Sequence, residues 1–177
     1  MKKKLYNIIF PIWILFIVPP VILIVLPSNF IIDSLVLIIS LKLFKISNIN
    51  EIYKKTIFKV WIFGFLSDII GALFLFLSMF IPGNFWYDKV LSPLMWNPFE
   101  TVYSFLYCTI AIIISGLFIY LFNKKITFKN INIKDNLKKK IAFILALVTA
   151  PYLFYLPTSV VYNNYFEDIG IIGYINK

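Results

Sequence analysis

The chain is a series of long apolar runs separated by short polar segments, most of them rich in lysine. Five runs stand out, at about residues 8–26, 30–46, 60–81, 99–122 and 141–162. The last three hold 22 to 24 residues each. At 1.5 Å of rise per residue each reaches about 33–36 Å, enough to cross a ~30 Å hydrocarbon core with some tilt. The runs are continuous and do not alternate, and they are too few to close a barrel, so they predict helices. The expected architecture is all-α: a polytopic transmembrane helix bundle of five spans, forming one integral membrane domain over residues 1–177.

The first two runs differ from the other three. Behind Lys2, Lys3 and Lys4 the first run resembles a signal peptide, but its 19 residues exceed the usual core of about 7–15. It ends at Pro27-Ser28-Asn29 without a small-x-small cleavage pattern, and is read as a retained anchor followed by a turn. The second run is the weakest, because Asp33 and Lys42 interrupt it. Charge counting supports it. With the N-terminus cytoplasmic, fifteen of the seventeen lysines fall inside, which is the asymmetry of the positive-inside rule. They cluster at the start, around loop 47–59, and in loop 123–140, leaving Lys89 and Lys177 outside. Without the second crossing, twelve lysines would face outward. The C-terminus and tail 163–177 are therefore placed outside. The outer loop 82–98, with Phe85, Trp86, Tyr87 and Trp96, reads as an aromatic interface belt.

Composition narrows the class further. The chain is 61% hydrophobic and 14% charged, against roughly half and about a quarter for soluble domains. A net charge of +9 in a soluble protein would point to nucleic acid. Lysines set between apolar runs point instead to the anionic headgroups of the lipid bilayer, so no nucleic-acid partner is expected. The use of lysine without arginine, amid abundant Ile, Asn and Phe, reads as AT-rich coding, and the expected location is a bacterial plasma membrane. Cys108 is the single cysteine and there is no histidine. That removes intrachain disulfides, Cys/His metal centres and His-base catalysis, so neither metal nor cofactor is expected. With no P-loop, no Gly-x-Ser-x-Gly and no His-Glu-x-x-His, no enzyme and no catalytic residue is predicted.

Acids within the spans carry what functional signal there is, because ionising them in hydrocarbon is costly. Asn97-Pro98-Phe99-Glu100 reads as an N-cap, a first-position proline and a first-turn carboxylate, giving Glu100 a structural role. Asp33 follows Ser28 and Asn29 by one turn and so is placed near the positive end of the second helix, a secondary candidate. Asp68 has no such explanation, since it lies about 12 Å into its span. Gly64, Gly71 and Ser78 share its helical face, a stripe of small residues that packs on other helices. The fourth span has a matching stripe of Thr101, Ser104, Cys108, Ala111 and Ser115, and the fifth offers Ala142, Ala146 and Thr149.

Pro151 leaves the Leu147 carbonyl without its helical donor, and Pro19 and Pro20 do the same for Leu15 and Phe16. The candidate is thus a midplane polar site of Asp68, Ser67, Ser115 and Thr149. Its helix-packing face comprises Gly64, Gly71, Ser78, Ser104, Cys108 and Ala111. Proline-broken helices around a buried acid are how transporters build ion sites. No basic residue lies deep in any span, which leaves three readings of Asp68. It is protonated and bonded to Ser115 or Thr149, or it binds a proton, Na⁺ or a cationic solute, or it meets a basic residue of another subunit. Phe30-Ile31-Ile32-Asp33 faintly echoes Phe65-Leu66-Ser67-Asp68, which chance explains in so biased an alphabet. The expected function is a small non-enzymatic transport protein, or the membrane subunit of a transport assembly, acting as a homo-oligomer or with a membrane protein partner. The alternative is an accessory, immunity or sensor protein that works through a partner and moves no solute.

Overall fold

A computed structural model describes residues 21–160, which are helical with no strand among them. Helix α1 (Val21–Leu43) and α2 (Ile49–Leu77) form a hairpin, reversed through Lys45 at a left-handed φ of 53°. A 3-10 turn, Ser78–Phe80, closes α2. Three short helical pieces follow, Asn84–Trp86, Tyr87–Leu91 and Ser92–Trp96, together α3. Helix α4 (Val102–Phe122) runs into a π-helical turn, Asn123–Thr127. Helix α5 (Asp135–Val148) is short, and a 3-10 turn, Tyr152–Tyr155, continues its path.

Three of these helices are long and apolar enough to cross a membrane: Leu23–Leu43, Ile49–Phe80 and Val102–Thr127. Their outward faces remain apolar, with Ile31, Leu35, Leu73, Ile113 and Leu117 all exposed. A water-facing bundle would instead keep its apolar stripe toward the core. Helices α1, α2, α4 and α5 close into a ring, each touching the next and α5 returning to α1. Short connections make neighbours antiparallel, so the lysine-bearing turns after α1 and α4 sit at the same end.

The interior is divided along its length. At the lysine end, Leu37, Leu41, Ile52, Val60, Phe128 and Leu145 form one apolar cluster. At the aromatic end, Ala72, Leu75, Leu94, Cys108, Ile112 and Phe154 form another. Between them the same helices contribute Asp33, Gly64, Ser67, Asp68, Gly71, Ser115 and Thr149.

Several expectations change. The turn at residues 27–29 is absent, because α1 runs through it with Pro27 inside. Proline removes one donor from the ladder, but neighbouring carbonyls gain others. Ser28 Oγ donates to the Ile24 carbonyl at 2.8 Å, and the Trp61 indole of α2 donates to the Leu26 carbonyl at 2.9 Å. The first and second predicted spans are therefore not separated where expected. Residues 8–20, the N-terminal orientation and tail 163–177 lie outside the described residues.

Helix α2 starts at Ile49, so Lys54, Lys55 and Lys59 ride on it and not on a loop. Lys55 pairs with Glu51 at 2.6 Å across one turn, an exposed contact that solvent screens. The N-cap of α4 is Thr101, whose hydroxyl accepts from the Ser104 amide at 3.1 Å. Asn97 instead folds an Asx turn onto the Phe99 amide, and Glu100 stays exposed. Loop 123–140 is largely helical, and Phe128 plugs the lysine end of the bundle at 0% exposure. The fifth predicted span is broken at Thr149–Pro151, where Pro151 ends α5.

Candidate functional site

The polar layer opens into a cavity of about 200 Å³ between α1, α2 and the break after α5. Its polar walls are Asn29 and Asp33 from α1, Asp68 from α2 and Thr149 from the break. Asp33 is 4% exposed, although it is neither capped nor near a helix end. Helix α2 admits it because residue 64 is glycine: a Cβ there would lie 3.3 Å from Asp33 Oδ2. The Thr149 hydroxyl faces the Asp33 carboxyl and also donates to the Leu145 carbonyl at 2.9 Å.

Asp68 stands close enough to Asp33 for the two carboxyls to act on each other electrostatically. Its Oδ1 is out of solvent reach and meets no donor among the described residues. No lysine lines the cavity. Two carboxyls facing one low-dielectric cavity repel each other when both are charged, and a proton or a positive guest relieves that repulsion.

The four predicted site residues separate. Asp68 and Thr149 line the cavity, whereas Ser67 and Ser115 do not. Ser67 donates to the Phe63 carbonyl of its own helix at 2.6 Å. Ser115 is buried against Gly71, where a Cβ would fall 2.0 Å from its Oγ, and the hydroxyl has no partner among the described residues. Of the predicted packing face, Cys108 and Ala111 of α4 join Gly71 around the Phe154 ring, and Cys108 Sγ donates to the Phe154 carbonyl at 3.4 Å. Ser78 and Ser104 are buried near the aromatic end, each bonded to nearby backbone. The Leu147 carbonyl, expected to be loosened by Pro151, is taken by the Tyr152 hydroxyl at 2.5 Å. Leu15 and Phe16 lie outside the described residues.

Asp33 is the residue that sequence reasoning placed wrongly. Ser28 and Asn29 are good capping residues, so a helix start there was the natural local expectation. The echo of Phe30–Asp33 in Phe65–Asp68 was a usable signal, since antiparallel neighbours bring both acids to one level. A larger groove between α4 and α5, lined by Ile113, Leu117, Phe143 and Leu147, has only Lys139 and Lys140 as charged groups and no acid. No known protein family, curated protein or solved structure matches the chain.

Proposed function

We propose that the chain is a non-enzymatic integral membrane protein that serves solute transport, alone as an oligomer or as the membrane subunit of a transport assembly. The observation that carries this reading is the acid pair, Asp33 and Asp68, lining a cavity in the layer between two apolar cores. Fold stability does not call for such a pair. Two carboxyls in low dielectric cost free energy, whereas apolar residues of similar volume would add to it.

The described helices then make four passes. Helices α1, α2 and α4 cross unbroken. Helix α5 contributes about 21 Å at 1.5 Å per residue, and the 3-10 turn 152–155 about 8 Å more. Broken backbone at membrane depth is tolerated where it lines a cavity inside the protein, which is where Thr149–Pro151 lies. The lysine end faces the cytoplasm, with Lys42, Lys45 and Lys54 on one side and Lys124, Lys125 and Lys138 on the other.

Membrane vesicles carrying the full chain test the reading through uptake of labelled Na⁺, K⁺ and methylammonium. Saturable uptake of at least one cation is expected, with most of it lost in Asp68→Asn. An Asp68→Asn protein that matches wild type in a working assay would sink the proposal.

A further inference from the structure

The transport reading leaves the solute unnamed, and the cavity wall narrows it. Asp33 and Asp68 come from antiparallel neighbours and line one cavity, in which no basic side chain faces them. A positively charged guest would satisfy both acids. A hard metal ion asks for six or more oxygens. The cavity reaches six side-chain oxygens only with both carboxyls bidentate, the Asn29 amide and the Thr149 hydroxyl, and Asp68 Oδ1 is out of solvent reach; no third acid or cysteine clusters nearby among the described residues.

The rest of the wall is hydrocarbon and ring: Ile32, Phe65, Val148 and Leu153, with Tyr152 at the edge. A volume of about 200 Å³ matches roughly seven waters at ~30 Å³ each, far more than a bare ion fills. A guest with a cationic head and a short carbon chain uses both halves.

We infer that this cavity binds a small aliphatic primary ammonium ion, its head between Asp33 and Asp68 and its chain against Ile32, Phe65 and Leu153. This assignment rests on the transport reading and gives it a solute class. The ammonium has three donors, one for each carboxyl and one for the oxygen of Asn29 or Thr149. A single positive charge against two acids leaves one of them protonated.

The test titrates butylammonium chloride into the full chain in lipid nanodiscs, followed by calorimetry. One saturable class of site is expected in wild type. Asp33→Asn and Asp68→Asn should each weaken it about tenfold or more, the scale of one lost charge-assisted hydrogen bond, with Tm little changed. Glu51→Gln, which removes an exposed acid at the lysine end, should bind as wild type does. NaCl and CaCl₂ are titrated in parallel. Binding of Na⁺ or Ca²⁺ that requires both acids, without butylammonium binding, overturns the ammonium assignment and leaves the transport reading standing. A folded wild type that binds none of the three overturns both.

Discussion

Gly64 and Gly71 lie seven residues apart on one face of α2, and the structure uses them for opposite purposes. At Gly71 the helix presses on α4: an added Cβ would lie 2.0 Å from Ser115 Oγ, 3.0 Å from the Phe154 ring and 3.1 Å from the Ala111 carbonyl. At Gly64 the facing atom is Asp33 Oδ2 at 3.3 Å, beside the cavity. One contact is closed packing and the other is the wall of a site. Small residues at helical spacing thus report where helices approach. What the approach makes depends on the atoms on the other side.

The largest effect should follow from closing the tighter contact. Gly71→Ala must displace Ser115 or Phe154, and overpacking of this kind costs about 1–3 kcal/mol. Unfolding in mixed micelles should show that loss. Pairing it with Ser115→Gly should recover part of it, and strictly additive costs would show that the two residues do not touch energetically.

Tyr152→Phe comes next. It removes the donor to the Leu147 carbonyl that Pro151 has already stripped of its helical partner. One unsatisfied carbonyl costs about 1–3 kcal/mol when buried, and less here because Tyr152 is half exposed. A Tm equal to wild type would mean that lipid or water replaces the hydroxyl.

Gly64→Ala should separate stability from binding. A mid-helix alanine gains about 0.5–1 kcal/mol over glycine, which offsets the mild crowding of Asp33. Stability should stay within about 1 kcal/mol of wild type, while butylammonium binding weakens because the cavity narrows at Asp33. Equal damage at Gly64 and Gly71 would erase the distinction between them.

Ser115→Ala should do least. Its buried hydroxyl has no partner among the described residues, so removing it should leave stability unchanged or slightly raised. Cation binding should not change, since Ser115 does not line the cavity. A loss of binding there would move the site toward α4.

Much of the frame was legible. The apolar runs mark three helices long enough to cross a membrane, and the stripe of Gly64, Asp68 and Gly71 marks the inward face of α2. The site was only half legible. Asp68 and Thr149 line one cavity, but Ser67 is occupied by the Phe63 carbonyl and Ser115 by packing, and hydroxyls with either fate look alike in a sequence. The capping residues Ser28 and Asn29 kept Asp33 a secondary candidate, because they predict a helix start that Trp61 and Ser28 itself help the helix run through.

The sequence alone determined the apolar helices and the lysine segregation, because hydropathy and charge act residue by residue against the solvent. It also determined that Asp68 lies deep in its run without a basic neighbour. Packing between helices set the rest: α1 runs unbroken past Pro27, Asp33 reaches the level of Asp68, and the chain breaks beside them at Pro151. Those outcomes depend on which carbonyls find donors on a neighbouring helix, and such pairings between residues far apart in the chain leave no local pattern to read.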